Sequence, residues 1–138
     1  KLALHAVDKD TEAFNQVMNA YKHPKETTAD IQVRDELIKE ATLYATEVPY
    51  NFVVLALNCL KIAREMFPLT TPSTTSDFGV GLLMIYSGLK GGVLNIKTNM
   101  TGFYKEEADK YLSKALFFEK EAEVLFNSVY SEVLKKFN

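Results

Sequence analysis

Apolar residues recur along the chain at intervals of three and four, the spacing of one helix face, with no sustained alternation of the kind a strand requires. The pattern predicts an all-α protein without a regular internal repeat. A first helix is expected to reach about Tyr21 and to stop before Lys22-His23-Pro24-Lys25, because the residue preceding a proline is pushed out of the α region. A polar loop leads to Asp30, the expected N-cap of a helix carrying Arg34, Leu37, Ile38, Ala41, Tyr44 and Ala45. Pro49 is expected to kink that helix or to begin the next, which carries Phe52 through Met66. Phe67 to Thr75, with two prolines and a run of Thr and Ser, predicts a loop that supplies hydroxyl caps. A long helix follows from about Ser76 to Asn99. After a break at Thr101-Gly102, a last helix carries an apolar stripe from Tyr104 through Tyr111, Ala115, Phe118, Ala122, Phe126 and Val133 to Phe137. The sum is a helical bundle of about five helices.

Asp10 breaks the pattern. Stepped at the helical angle, Ala3, Ala6, Val7, Ala13, Phe14, Val17, Met18 and Tyr21 share its side of the first helix, while Asp8 falls on the wet side. The stripe predicts that Asp10 is buried. An ionised carboxylate removed from water costs several kcal/mol, about the scale known for buried ions, unless it is paired, so it titrates upward or does chemistry.

A second constellation lies in the helix from Ser76 to Asn99, where Asp77, Gly81, Gly88, Gly91, Gly92, Asn95 and Asn99 fall on one face. Glycine in a helix interior costs roughly 1 kcal/mol against alanine, so something must offset it. Close packing of another helix is the leading explanation, with a subunit contact or a flat ligand in the groove as the others; polar residues at both ends argue for the ligand. Asp77 can also be read as a simple cap at the helix start.

The chain's 138 residues, 47% hydrophobic, suffice for one domain spanning 1–138 and fall short of two. A net charge of −2 and mixed acids and bases offer no basic footprint for nucleic acid or anionic lipid. The lone Cys59 sits in an apolar run, which fits a small core residue and a reducing, cytoplasmic setting. No leader pattern is present, and the apolar stretch from Phe78 to Leu89 is short of a membrane span, so a soluble protein is expected. The sequence begins at Lys1, already inside a helical pattern, which suggests an upstream piece. His5 and His23 have no partners at metal-ligand spacing, and no metal site is expected. No strand precedes a glycine-rich loop to cradle phosphate. The run Lys105, Glu106, Glu107, Asp109, Lys110 fits a solvated face.

Asp8-Lys9-Asp10-Thr11-Glu12-Ala13-Phe14, Lys22-His23-Pro24-Lys25, Val48-Pro49, Ser76-Asp77 and Asn95-Ile96-Lys97-Thr98-Asn99 follow one another in that order. Each is a weak motif alone. Together, at their spacing across the whole chain, they resemble the cyclodeaminase domain of formiminotransferase-cyclodeaminase and the free-standing methenyltetrahydrofolate cyclohydrolases. The resemblance implies an all-helical, homo-oligomeric protein, a dimer being expected, that acts on folate-bound one-carbon units without a metal or redox cofactor. It further implies a folate substrate and offers a formiminotransferase as a candidate partner. In the deaminase, N10 of 5-formiminotetrahydrofolate attacks the formimino carbon and ammonia leaves, giving 5,10-methenyltetrahydrofolate; in the hydrolase, water opens that cation to 10-formyltetrahydrofolate.

By the same resemblance Asp10, the second acid of the D-x-D-x-x-A-F pattern, is the catalytic acid/base and the anion beside the cationic carbon. Ser76 and Asp77 match a pair that holds the pterin, Asn95 and Asn99 match an Asn pair on the glycine face, and Lys22 and Lys25 match lysines suited to glutamate carboxylates. For these lysines an ordinary surface loop is an equal reading. Two departures stand out. The family's Pro-Gly-Gly-Gly-Ser segment and the amino-terminal helices around it have no counterpart in this sequence, and its Gly-Asn pair is replaced by Phe67-Pro68-Leu69-Thr70-Thr71-Pro72-Ser73. The expected activity is a formimidoyltetrahydrofolate cyclodeaminase, with the cyclohydrolase as its alternative and a non-catalytic helical folate-binding or assembly module as the reading from another class.

Overall fold

The computed structural model describes residues 2–137, with side chains from Leu4 onward; Lys1 and the side chain of Ala3 lie outside the described residues. Four helices follow in order: α1 (Leu2–Tyr21), α2 (Thr28–Met66), α3 (Thr75–Met100) and α4 (Lys105–Lys135). A single 3-10 turn, Phe67–Leu69, follows α2. Among the described residues there is no strand, as the periodicity predicts.

The helix ends show local chemistry that sequence spacing places only approximately. Thr27, not Asp30, is the N-cap of α2: its hydroxyl accepts the Asp30 N–H at 3.1 Å, and the Asp30 carboxylate accepts the Thr27 N–H at 3.0 Å. This reciprocal box satisfies two donors at once and sets Asp30 three residues inside the helix, where its charge also suits the dipole. At the start of α3 the expected hydroxyl cap is absent. Thr74 occupies the position, but its oxygen accepts the Thr71 N–H at 3.0 Å and makes no cap bond. Asp77 is therefore in the first turn of α3 rather than at its cap. The α3–α4 turn passes through Gly102 at φ +73°, a left-handed conformation that side chains resist.

Helix α2 continues through Pro49 for 39 residues, so the described residues form four α-helices where about five are expected. The core lies between α2, α3 and α4. Val53 and Leu60 of α2, Leu89, Val93 and Ile96 of α3, and Ala115 and Ala122 of α4 are wholly buried there. Seated between two neighbours, α3 is the most apolar helix; where the sequence predicts an apolar run too short for a span, its 26 residues are long and apolar enough, by length and composition alone, to cross a membrane. Its outer face nevertheless leaves Val80, Leu83, Met84 and Leu94 exposed.

Ion pairs tie α4 to the others at its edges. Lys39 meets Glu107 at 3.1 Å and Lys61 meets Glu121 at 2.7 Å, while Lys90 and Lys97 of α3 both reach Glu119. The Lys90 hydrogen bond holds the Glu119 carboxyl below the usual carboxylate range. By contrast α1 packs chiefly on α2, and among its described side chains only Ala13 and Ala20 are buried.

Candidate functional site

The meeting of α1, α2 and α3 leaves an open groove of about 290 Å³. Asp10, one turn on from Ala6, stands on the α1 side; Pro49 and Phe52 form the α2 wall; Gly88, Gly91 and Asn95 line the α3 side. An adjoining hollow of about 330 Å³ shares Ala6, Val48 and Phe52 with it and is edged by His5, Lys9, Tyr44 and Glu47. Asp10 and Asn95, both singled out from sequence and far apart along the chain, thus come to one surface together with Gly88, Gly91 and Gly92 of the glycine face.

Asp10 is exposed, not buried. The expectation of burial assumed that the apolar stripe of α1 faces the core, but Val7, Phe14 and Met18 on that stripe are exposed, Phe14 by 61%. A stripe this apolar is covered only if a second helix lies closely against it, and α1 packs chiefly on α2. Asp10 therefore meets water from one side and the apolar groove from the other. Such a carboxylate can take a proton from an entering molecule and stabilise positive charge held against the apolar wall.

The glycine face divides into two uses. A Cβ at Gly92 would lie 2.7 Å from Val53 Cγ2 and 3.4 Å from the Pro49 carbonyl oxygen, and one at Gly88 would lie 3.3 Å from Phe52 Cζ. These two glycines are there so that α3 can approach α2. A Cβ at Gly81 or Gly91 would meet nothing within 4 Å. Gly91 nevertheless borders the groove, so there the missing side chain leaves room rather than permitting contact.

Asn99 does not join Asn95 at the groove. Its side-chain amide donates to the Ala45 carbonyl at 3.0 Å, and it lines a separate hollow beside Lys39, Thr42 and Tyr104. Ala45 is the residue four positions before Pro49. A proline has no N–H to give to the carbonyl one turn back, and its ring pushes that carbonyl aside, a defect worth about 3 kcal/mol in a helix interior. The Asn99 amide donates to that carbonyl, and α2 runs on through Pro49 without a break. Sequence reasoning found both residues and missed their pairing; the signal was the mid-helix proline itself, which leaves one carbonyl in want of a partner.

The other candidates lie apart. Ser76 and Asp77 are exposed at the far end of α3. At 1.5 Å of rise per residue, Asp77 is about 27 Å along the helix from Asn95, too far to share a bound ring within one chain. Lys22 is exposed, its ammonium group 3.2 Å from Asn19 Oδ1, and Lys25 is exposed beside Glu26 in the α1–α2 loop. Lys22 lies about 18 Å along α1 from Asp10, within reach only of an extended tail. Phe52, Tyr44 and Glu47, which border the two hollows, escaped the sequence reading because nothing in their local pattern distinguishes them from ordinary helix surface.

Residues 1–116 match the profile of the family described as formiminotransferase-cyclodeaminase. The chain is similar to a methenyltetrahydrofolate cyclohydrolase of Methylorubrum extorquens, with 34% identity over 140 residues, covering 94% of this chain and 62% of that protein. It is also similar to a formimidoyltransferase-cyclodeaminase of Gallus gallus, with 25% identity over 123 residues, covering 86% of this chain and 23% of that protein. The chain spans less than two thirds of the length of either relative.

Proposed function

We propose that this chain, which belongs to the formiminotransferase-cyclodeaminase family, opens the methenyl bridge of 5,10-methenyltetrahydrofolate with water, using Asp10 to move the proton. The observation that carries the reading is the convergence of Asp10 and Asn95 on one groove that Gly91 keeps open. The greater identity to the cyclohydrolase, across nearly the whole chain, supports water addition over the ammonia release expected from the motifs.

The bridge carbon between N5 and N10 carries the positive charge, and a flat cation of that kind suits an apolar wall with a carboxylate at its edge. Water adds to this carbon while Asp10 takes its proton. The bond from the carbon to N5 then breaks, N5 receives a proton back, and the remaining hydroxyl proton departs as the formyl carbonyl forms. One proton is released overall. Asn95, across the groove, has donor and acceptor atoms with which to hold the ring or the water.

The complete protein is expected to accelerate the decay of methenyl absorbance when mixed with 5,10-methenyltetrahydrofolate, and to produce no such absorbance from 5-formiminotetrahydrofolate. A protein-dependent rise in the second mixture would replace the hydrolase by the deaminase. Spontaneous rates in both would leave the non-catalytic module.

The site is completed in this reading by a second copy of the chain. Val80, Leu83, Met84 and Leu94 form an exposed apolar stripe along α3, with Met84 exposed by 71%. An antiparallel two-fold axis at Ser87 would pair Val80 of one copy with Leu94 of the other along this stripe. It brings the distant Ser76-Asp77 pair to within about a helical turn of the other copy's Asn95. The measurement is subunit complementation: Asp10→Asn and Asp77→Ala chains, each of low activity, are mixed after dissociation. Random pairing should restore about a quarter of native turnover, because half of the dimers then carry one intact site of two. No recovery would place each site within one chain.

A further inference from the structure

The hydrogen bond between Asn99 and the Ala45 carbonyl is made where Pro49, four residues on, offers that acceptor no backbone N–H. From this geometry we infer that Asn99 is a positioning residue, which supplies the donor that Pro49 lacks and thereby locks the α2 wall of the groove to α3. The role differs from the substrate contact implied by the motif resemblance.

Three observations converge on it. The donor distance is 3.0 Å and the two residues are 54 positions apart, so the bond is a tertiary tie rather than a local turn. Its acceptor belongs to the residue that a proline at position 49 strips of its helical partner. One turn before Asn99 lies Asn95 on the groove, and one turn after Ala45 lies Pro49 on the same groove, so the tie fixes the spacing of two lining residues. Gly92, whose absent Cβ leaves room for Val53 Cγ2, lets the two helices approach closely about two turns before Asn99. Asn suits the position because its amide is short, uncharged and carries two N–H donors. Asp in the same shape would present an oxygen to an oxygen.

The effect on turnover rests on the groove being the folate site; the effect on the fold does not. The test is therefore a cycle read in two ways. In the native background Asn99→Ala is expected to lower the unfolding midpoint by about 3–6 °C, the shift for one lost tertiary hydrogen bond in a domain of this size. In a Pro49→Ala background, where the backbone again donates to Ala45, the same change should cost about 1 °C or less. The kcat loss follows the same rule: about tenfold with Pro49 present, less than twofold without it, and KM unmoved in both. Asn99→Asp should behave like Asn99→Ala.

Equal midpoint shifts in the two backgrounds overturn the inference, and so does a rise in KM that persists after Pro49→Ala, which would make Asn99 a substrate contact. A cycle that fails only in activity, with the midpoints as expected, keeps the tie and rejects the folate reading of the groove. If Asn99→Ala does not fold in the native background, Pro49→Ala alone decides: the Asn99 side-chain amide protons should exchange with solvent faster than in the native protein. Unchanged exchange sinks the idea.

Discussion

Replacing Asp10 by Asn is expected to lower turnover of 5,10-methenyltetrahydrofolate by about a hundredfold or more, the usual scale for loss of a positioned acid or base. The amide keeps the shape and a hydrogen bond but can neither accept the proton of the attacking water nor offset the charge of the bridge carbon. Because Asp10 is exposed, the fold has little stake in it, and the unfolding free energy should stay within about 0.5 kcal/mol of the native value. Following methenyl absorbance beside a urea titration separates the two quantities. A variant that keeps more than about a tenth of the native rate would remove Asp10 from the chemistry. A buried Asp10 would have behaved otherwise: there the substitution would have relieved an uncompensated charge and raised stability.

The second large effect belongs to the glycines, and it has opposite signs at neighbouring positions. Gly92→Ala would press a methyl carbon to 2.7 Å from Val53 Cγ2, with the Pro49 carbonyl 3.4 Å away. Val53 is branched at Cβ and wholly buried, so it has no free rotamer into which to withdraw. The helices must part, at about 1–3 kcal/mol. Gly91→Ala meets nothing and should stabilise the helix by about 0.5–1 kcal/mol. Its methyl group enters the groove, however, and substrate affinity should fall as stability rises. Denaturant midpoints together with KM for the two variants form the measurement. Stabilisation at Gly92 or destabilisation at Gly91 would show that the glycines have been assigned to the wrong tasks.

The helices were legible because helix period is a local property: positions three and four apart share a face whatever surrounds them. The stripe on α4, with Ala115, Ala122, Phe126, Val129 and Val133 buried, emerges directly from that rule. The same rule misled at Asp10. Periodicity identifies an apolar face without saying whether another element covers it, and the face of α1 that carries Phe14 remains open. The end of α2 at Thr27 depended on which of two nearby side chains, Thr27 or Asp30, takes the cap, a choice made by backbone angles. Pro49 was expected to interrupt α2 because its missing donor is a local fact, whereas the Asn99 amide that replaces the donor lies on another helix. The site shows the same division. Asp10, Asn95 and Gly91 were found as helix-face residues and do meet, but Ser76 and Asp77 share a face with Asn95 while the length of α3 holds them away from it.

Helix α4 has a consequence for where this protein can be cut. The family match closes at residue 116, in mid-helix, yet Ala122, Leu125, Phe126 and Val129 beyond that point are buried in the same core as Val53 and Leu82. A fragment trimmed to the recognisable limits would retain every residue of the groove and lose the apolar surface against which α3 is seated. The stretch by which relatives are recognised and the stretch that can stand as a solid body in water therefore end at different places.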